Sequence, residues 1–417
     1  MSLLDSIAAR ALEAALPHLC GGALTLEMHG RAQRYGTVNT APLPDGRVPV
    51  DAALVVHDPR CVRRLFFGSD IGLGEAYMDG DWSSPDLVAL TRLLIRNAAL
   101  VEERGSVIRG AMRRIGGLAR RLRDNTIRGS RQHIHEHYDL GNPFFALFLD
   151  THLMYSCGYH ATGTESLEEA QEAKLDKICR ALQLGPDDHV LEIGSGWGGF
   201  AAWAATRYGC RVTTTTISEE QYRHTLQRVA ALGDVGHRIE VLLTDYRELG
   251  GHFDKLVSIE MFEAVGLNHY DDYFRAVDRL LRPGGLMLLQ TITVDDQWFP
   301  RYHGAPDWIE KYIFPGGELA SIGEVLQSLA RVTSLSVHHA ENIGMHYALT
   351  LRAWRQRFHA RLAEVRAQGF SDRFIRMWDL YLAWCEAAFL ERHTGDYQLL
   401  LAKNYGGSRR FNEPARL

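Results

Sequence analysis

The chain lacks several features that would remove it from the ordinary class of globular proteins. None of its 417 residues fall in an uninterrupted apolar run of the roughly 18 residues that a membrane-spanning helix needs. Its first twenty residues, MSLLDSIAARALEAALPHLC, lack the basic region of a secretory signal. The six cysteines show no CxxC spacing, which argues against a zinc knuckle or a disulfide framework. These absences predict a soluble, cytoplasmic protein with reduced thiols.

The chain also lacks a net positive charge. The net charge of −5 argues against nucleic acid as the main partner. The one strongly basic stretch, Arg104–Arg131, holds nine arginines and a single acid, Asp124. An apolar stripe recurs through it at helical spacing, at Ile108, Met112, Ile115, Ala119 and Leu122. Such a helix either lies on an anionic membrane surface or docks as a solvated interdomain helix, and the segment by itself slightly favours the second.

Composition and pattern predict two α/β regions. With 46% hydrophobic residues, the chain can form two domains with their own cores. Residues 1 to about 100 read as a small α/β unit, with strands at Ala23–Met28 and Ala52–Val56 and helices near Cys61–Phe67 and Asp86–Ile95. The predicted boundary falls at residue 130, so that 1–130 forms an N-terminal domain with a basic helical linker and 131–417 forms the second domain.

The second region alternates between helix and strand. The predicted elements are helices at Ser166–Leu184, Gly199–Tyr208, Glu219–Ala231 and Tyr270–Leu281, and strands at His189–Ile193, Arg211–Ile217, Ile239–Leu243, Lys255–Ile259 and Leu286–Ile292. This alternation indicates a parallel sheet covered by helices on both faces, with ligands at the carboxyl ends of its strands. Helices are expected from about Ala353 to the C-terminus.

A glycine-rich loop follows the first strand of that sheet. The string LEIGSGWGG, Leu191–Gly199, formally satisfies the GxGxxG pattern of dinucleotide-binding proteins. That pattern requires an acid about 20 residues further on, where this chain has only the hydroxyls of RVTTTTIS. Glu192 instead comes before the first glycine. This arrangement resembles motif I of the S-adenosylmethionine-dependent methyltransferases, and four glycines would cost too much conformational entropy for a packing turn alone.

Two further stretches agree with a methyltransferase. VLLTDYREL ends the third strand with Asp245 and Tyr246, whose carboxylate and ring could bind adenine. The turn LLRPGG, Leu280–Gly285, is of the same type, although PGG by itself is a generic turn. It is the order and spacing of the three stretches that make them specific.

Several longer strings are similar to one family, the cyclopropane fatty acid synthases and mycolic acid methyltransferases. They are GEAYMDGDW (Gly74–Trp82), HYDLGNPFFALFLD (His137–Asp150), MYSCGY (Met154–Tyr159), TISEEQ (Thr216–Gln221), MFEAVG (Met261–Gly266), WIEKYIFPGG (Trp308–Gly317) and HYALTLRAW (His346–Trp354). The resemblance implies a class I (Rossmann-like, seven-stranded) methyltransferase domain with a smaller N-terminal α/β domain that engages lipid. It also implies methyl transfer from S-adenosylmethionine to a cis double bond in an acyl chain of a phospholipid.

The resemblance assigns roles to particular residues. Those expected to bind the cofactor are Tyr155, Ser156, Glu192, Gly194, Gly196, Gly198, Thr216, Gln221, Asp245 and Tyr246. Cys157, Glu263 and Tyr347, with the backbone of Ile292, are expected to hold a bicarbonate ion that removes a proton from the carbocation. No metal is expected, and the alternating His133, His135 and His137 are more typical of surface residues than of ligands.

One position departs from the family. Where its members usually have histidine in an HTIG string, this chain reads QTIT, with Gln290. Glutamine can donate a hydrogen bond to bicarbonate but cannot become cationic. A lower affinity for bicarbonate is therefore expected, and a methyl- or methylene-branched product, or a non-catalytic lipid-binding protein, is an alternative to a cyclopropane. The expected location is the inner face of the membrane, as a peripheral protein, and a homodimer is left open.

Overall fold

The computed structural model describes residues 12, 14–38, 47–98, 140–303 and 307–404, without the side chains of 66–69. The basic segment and the three alternating histidines lie outside these residues, so the expectations for them stay predictions. The described residues group into two compact units: one drawn from 1–122, 304–313 and 351–393, the other from 123–303, 314–350 and 394–417. The first unit thus includes 351–393, which the boundary at residue 130 assigns to the second domain.

Strands and helices occur throughout both units. In chain order, the strands are β1 (Gly22–Met28), β2 (Arg31–Gly36), β3 (Val50–Val56), β4 (Trp82–Ser83), β5 (His189–Ile193), β6 (Arg211–Thr216), β7 (Ile239–Leu243), β8 (Phe253–Ile259), β9 (Leu281–Val294), β10 (Leu335–Asn342) and β11 (Thr394–Lys403). The helices are α1 (Arg60–Met78), α2 (Leu87–Arg96), α3 (Asn142–Phe145), α4 (Leu167–Ala181), α5 (Gly199–Tyr208), α6 (Glu219–Ala231), α7 (Tyr270–Leu280), α8 (Phe299–Tyr302), α9 (Trp308–Tyr312), α10 (Ile322–Val332), α11 (Gly344–Ala360), α12 (Leu362–Ala367) and α13 (Asp372–Leu390). None of these helices is both long and apolar enough to cross a membrane.

The first unit contains a four-stranded sheet in the order β2-β1-β3-β4. β1 and β2 form an antiparallel hairpin, and His29 and Gly30 between them both have positive φ, as tight hairpin turns require. β3 runs parallel to β1. The prediction missed β2 because its sequence, RAQRYG, is exposed along nearly its whole length and has no apolar alternation.

The second unit is built on a seven-stranded sheet in the order β10-β11-β9-β8-β5-β6-β7. β5 lies between β8 and β6 and is parallel to both. The chain continues from β5 to β6 and β7 on one side and then returns to β8 on the other, so the strand order reverses at β5. Crevices at such a reversal are where open α/β sheets bind ligands. The central strands have apolar runs because they are buried on both faces of the sheet. The predicted α/β class with a seven-stranded sheet is confirmed.

The prediction was wrong at the C-terminal end. Instead of continuing as helix, the chain forms β11, which pairs antiparallel with β9 from Thr394 opposite Val294 to Ala402 opposite Leu286. β10 then pairs with the outer edge of β11. The sequence DYQLLLAK has a continuous apolar run because most of β11 is buried on both faces. Periodicity cannot distinguish such a run from a buried helix.

A buried ionic cluster stabilises the first unit. The Glu391 side chain, 1% exposed, accepts bonds from Arg92 Nε at 2.6 Å and from Arg96 Nε at 2.7 Å. Arg47 Nη1 adds a contact at 2.9 Å. The Arg96 side chain is itself only 1% exposed. Removal of either residue would therefore leave the other with a buried charge that has lost its partner.

Glu391→Ala is therefore expected to lower the free energy of unfolding by roughly 3–5 kcal/mol, because Arg96 would keep a buried and unpaired charge. Chemical denaturation followed by circular dichroism measures the loss. Glu364→Ala is the matched control, since Glu364 is an exposed helical residue and such changes usually stay within about 0.5 kcal/mol. Equal destabilisation by the two substitutions would contradict the importance of the cluster.

Candidate active site

The glycine loop leaves β5 and enters α5 with three glycines in left-handed backbone conformations. Gly194, Gly196 and Gly198 have φ values of +97°, +49° and +80°. A Cβ atom on Gly194 would lie 2.9 Å from Met261 Cγ, whereas a Cβ on Gly196 would meet nothing within 4 Å. The loop is held at one side by packing and is open at Gly196. A ligand can therefore approach the backbone there.

Hydroxyls of β6 line the loop on one side. Thr214 donates its hydroxyl proton to Glu192 Oε2 at 2.6 Å, and Thr216 donates to Gln221 Oε1 at 2.8 Å. Glu192 is 3% exposed, and burial raises the pKa of its carboxyl to about 8. A cationic ligand beside it would favour the ionised form, and the amino group of S-adenosylmethionine is such a cation. These residues therefore fit the predicted cofactor.

The structure gives Asp245 a partner that the sequence did not suggest. Its carboxylate accepts bonds from the Arg247 backbone N–H and Nε at 2.9 Å and from Nη2 at 2.7 Å. The Tyr246 ring is buried and meets the Tyr273 ring edge-on, with centroids 5.2 Å apart. Both residues lie directly after β7, as predicted. Most of the acceptor capacity of Asp245 is nevertheless used by Arg247.

The segment before Cys157 is tied down by buried polar groups. Asp150 accepts bonds from the backbone N–H groups of His152 and Met154, both at 2.8 Å. Ser156 Oγ accepts a bond from Lys174 Nζ at 2.7 Å, and Lys174 is fully buried. These contacts fix Tyr155 and Ser156, two of the predicted cofactor-binding residues.

Three of the predicted catalytic residues meet at a carboxylate that the sequence analysis did not single out. Glu260 Oε1 accepts bonds from the Cys157 backbone N–H at 2.8 Å and from Gln290 Nε2 at 2.7 Å. Its Oε2 accepts the hydroxyl proton of Tyr347 at 2.6 Å. Asp396 also receives a bond from Gln290 Nε2, at 3.1 Å. Cys157, Gln290 and Tyr347 are thus brought together around Glu260.

Glu263 and Ile292 form a neighbouring pair. Glu263 Oε1 accepts bonds from the Ile292 backbone N–H and, at 3.0 Å, from the Thr291 hydroxyl. Its Oε2 is buried and has no hydrogen-bond partner among the described residues. Burial, together with the charge of Glu260, raises the pKa of Glu263 to about 8. In the part of the chain that the structure describes, the hydrogen bonds of the Glu263 carboxylate are with Thr291 and Ile292, and those of Cys157 N–H and Tyr347 go to Glu260.

The expected bicarbonate ion does not fit this arrangement. Cys157 N–H, Gln290 Nε2 and the Tyr347 hydroxyl already donate to Glu260. A second anion would also lie close to the charge of the Glu260 carboxylate, where the added repulsion would be strong. The expectation of bound bicarbonate is therefore not supported by these residues.

The sequence held one signal for Glu260. It follows directly after the buried strand LVSI, at the carboxyl end of β8, which is where site residues of parallel sheets lie. Lys174 and Asp396 gave no comparable signal. Lys174 lies inside a helical pattern, and Asp396 lies near the start of β11, for which the sequence predicts a helix. Within the described residues, no group of three or more potential ligands is arranged to hold a metal ion.

The strand order, with the glycine loop after its central strand, defines a class I S-adenosylmethionine-dependent methyltransferase. A family model described as mycolic acid cyclopropane synthetase matches residues 126–399. The chain therefore belongs to that family and is an enzyme of this methyltransferase class.

Individual relatives agree with this assignment. The chain is 38% identical, over 86% of its length and 84% of the relative, to tuberculostearic acid methyltransferase UfaA1 of Mycobacterium tuberculosis. It is also 38% identical, over 86% of its length and 89% of the relative, to cyclopropane-fatty-acyl-phospholipid synthase of Escherichia coli. Among solved structures it resembles mycolic acid cyclopropane synthase CmaA1, complexed with SAH and CTAB. The TM-score is 0.61 at 32% identity, covering 66% of this chain and 98% of that one.

Gly194→Ala is expected to reduce affinity for S-adenosylmethionine at least tenfold, because the new methyl group would displace Met261 as well as strain the backbone. Isothermal titration calorimetry measures the affinity. Gly209→Ala is the control: Gly209 also has positive φ, but its nearest neighbour, Pro186 Cγ, lies 3.7 Å from the new atom. If both variants keep the affinity of the wild type, the loop does not hold the cofactor.

Glu192 should make stability depend on pH. Its folded-state pKa of about 8 lies above the ordinary value of 4.5. The folded protein therefore keeps a proton that the unfolded chain loses, and stability falls as pH rises between these values. Glu192→Gln is expected to remove this penalty and to stabilise the cofactor-free protein by a few kcal/mol at about pH 9.

Urea denaturation at several pH values measures the effect of Glu192→Gln, and the gain should shrink toward pH 5. Glu240→Gln is the control, because Glu240 is an exposed residue of β7. A gain that is the same at every pH would show that burial does not hold the proton on Glu192.

Proposed function

We propose that this enzyme transfers the methyl carbon of S-adenosylmethionine to a cis double bond in an acyl chain of an unsaturated phospholipid, forming a cyclopropane fatty acid. The observation that carries the proposal is the meeting of the glycine loop, the Tyr155–Cys157 segment and a buried carboxylate cluster at the carboxyl ends of β5, β8 and β9. An electrophile held by the first two would lie beside the third.

The loop residues bind and orient the cofactor in this proposal. When bound, S-adenosylmethionine supplies an electrophilic methyl group on a positively charged sulfur. Gly194, Gly196 and Gly198 let the backbone approach its amino-acid part, and Glu192 offers that part a carboxylate. Thr216, Gln221, Asp245 and Tyr246 would hold its nucleoside part, and Tyr155 and Ser156 would hold the side nearest the carboxylates.

Aromatic side chains keep water from the reacting carbons. Tyr155 lies in a group of rings, with centroid distances of 5.3 Å to Phe145, 6.5 Å to Phe148 and 6.1 Å to Phe314. Trp197, in the glycine loop, continues the group at 5.0 Å from Phe145. Aromatic faces attract a cation and exclude solvent, which suits a reaction that passes through a carbocation.

The remaining predicted catalytic residues position carboxylates. Cys157 acts through its backbone N–H and Tyr347 through its hydroxyl, both on Glu260. The thiol of Cys157 is fully buried, and burial raises its pKa well above the ordinary value. It stays a neutral thiol and is not a nucleophile. The Ile292 N–H holds Glu263, whose unpartnered Oε2 leaves room for one more contact.

A branched product is the second candidate. Gln290 stands where the family usually has histidine, and the similarity to tuberculostearic acid methyltransferase UfaA1 is as high as that to the Escherichia coli cyclopropane synthase. After a hydride shift in the same cation, loss of a proton from the added methyl group would give a methylene branch, and loss of a chain proton would give a methyl branch on a double bond. Both candidates use one methyl transfer and differ only in how the cation is resolved.

The encounter with lipid is proposed to occur at the inner face of the membrane, with the protein bound peripherally. The basic segment between Arg104 and Arg131 supports this location by its charge and apolar stripe. Dimer formation stays open.

The proposal predicts label transfer from S-adenosylmethionine to lipid. Purified protein is incubated with a trideuterated methyl donor and vesicles of unsaturated phospholipid, and the released fatty acids are analysed by gas chromatography with mass spectrometry. A cyclopropane keeps all but one of the deuterium atoms, and so does a methylene branch, whereas a methyl branch keeps all of them. Retention times against standards separate the ring from the methylene.

Vesicles with saturated chains are the substrate control. Absence of label in unsaturated lipid, with cofactor binding intact by calorimetry, would favour a non-catalytic lipid-binding protein. Label in a water-soluble acceptor only would contradict the assignment of the substrate class.

A further inference from the structure

The carboxylate of Glu260 has the contacts expected for a bound anion. Its two oxygens accept three hydrogen bonds, from a backbone N–H, a side-chain amide and a phenol, at 2.6–2.8 Å. The resemblance assigns two of these groups, Cys157 and Tyr347, to bicarbonate, and the third, Gln290, stands where the family usually has histidine. The Glu260 carboxylate and a bicarbonate ion would accept hydrogen bonds from the same three donors, so the two cannot be bound there together.

The backbone places Glu260 there at a cost. Glu260 has φ of +48°, the left-handed region that residues other than glycine rarely adopt. Its N–H donates to the Gln290 carbonyl at 2.8 Å, the last contact between β8 and β9. Such conformations cost on the order of 1–3 kcal/mol and persist where the surroundings enforce them. The turn directs the side chain into the cluster.

The side-chain amide of Gln290 is oriented so that it donates hydrogen bonds to carboxylates. Gln398 Nε2 donates to Gln290 Oε1 at 3.0 Å, which fixes the amide with its NH₂ group toward Glu260 and Asp396. The two glutamines are register partners across β9 and β11. Both are buried. A neutral amide held in this way can donate a hydrogen bond to the carboxylate of a side chain that is always present, and it does not have to be positively charged to do so.

Burial, hydrogen bonds and neighbouring charge together decide which of the two carboxyl groups, that of Glu260 or that of Asp396, is ionised. Burial and the charge of Glu260 raise the pKa of Asp396. Burial raises the pKa of Glu260 as well, but three donors favour its ionised form. Gln290 Nε2 donates to both carboxyls, so they lie close together, and two carboxyls at such short range favour sharing one proton. Asp396 therefore holds the proton, and Glu260 is the anion.

Glu260 also borders the cofactor-binding segments. Its neighbour Met261 packs against Gly194 of the glycine loop, and Cys157, which donates to it, directly follows Tyr155 and Ser156. Glu260 is half-buried, whereas Cys157, Gln290 and Asp396 are 0% exposed. It is therefore the member of this group that a substrate can reach.

We infer that the Glu260 carboxylate is the base of this enzyme and takes the place of bicarbonate. The inference rests on the proposed methyl transfer to a double bond. It adds a catalytic residue, and it explains why Gln290 is compatible with turnover.

The bonds balance without a further reactant. The alkene π pair forms a bond to the donated methyl carbon as the carbon–sulfur bond breaks, which leaves positive charge on the other alkene carbon. Glu260 then takes a proton from the added methyl group, and the freed C–H electron pair closes the ring. Glu260 becomes a carboxylic acid and returns the proton to solvent from its accessible side. After a hydride shift, the same base would give the methylene product.

The first test compares turnover of the wild-type enzyme in CO₂-free buffer with turnover after addition of bicarbonate. Equal rates are expected. A rate that rises severalfold with bicarbonate, saturably, would overturn the inference, although label transfer itself would still support the proposed function.

The second test uses chemical rescue. Glu260→Gln is expected to lower turnover at least about 100-fold, the usual contribution of a general base, with unchanged affinity for S-adenosylmethionine. Glu260→Gly should lose activity similarly and regain part of it with added bicarbonate, because glycine suits the positive φ and leaves the three donors free. Glu364→Gln, an exposed change, should behave as wild type. Full activity of Glu260→Gln, or absence of any rescue of Glu260→Gly, would contradict the inference.

A binding measurement keeps the inference testable if lipid turnover itself is not found. Carbon-13 NMR of labelled bicarbonate should show no binding to the wild-type protein and saturable binding to Glu260→Gly. Equal binding to the wild type and to Glu260→Gly would show that the ion and the side chain occupy different places, and would overturn the inference.

Discussion

The contact on which the site depends is the acceptance of three hydrogen bonds by one half-buried carboxylate at the end of β8. It joins three parts of the chain that are far apart in sequence: the Cys157 backbone, Gln290 on β9 and Tyr347 on α11. Each donor would be costly to leave unpaired in the interior. The positions of the Cys157 segment, β9 and α11 therefore depend on one another through their shared hydrogen bonds to Glu260. The glycine loop is coupled to the same point, since Met261 lies against Gly194.

Much of the second unit could be predicted from sequence because its signals are local. β5, α5, α6 and β7 begin and end at the predicted residues, since strand, glycine turn and capped helix follow one another without ambiguity. Ser218, which accepts from the Gln221 N–H, is an N-cap of the type that sequence reveals. The positions of Glu192, Thr216 and Asp245 at strand ends follow from the same pattern.

What sequence could not supply was long-range pairing. The sequence points to Glu263 and not to Glu260, because a motif identifies residues and does not show which side chain turns toward which donor. It predicts helix for β11, because an apolar strand buried on both faces has no period. Without β11, Asp396 and Gln398 have no predicted place beside Gln290. The structural reason for glutamine in place of histidine lies in these two partners.

The pairing of β9 with β11 sets an order of events during synthesis. Gln290 reaches its orientation only when Gln398 lies opposite it, and Asp396 takes its place opposite Ile292 in the same ladder. A ribosome that has released the glycine loop and every parallel strand has still not released these residues. The nascent protein can therefore form its glycine loop and parallel strands early, but the carboxylate cluster is complete only after β11 has left the exit tunnel.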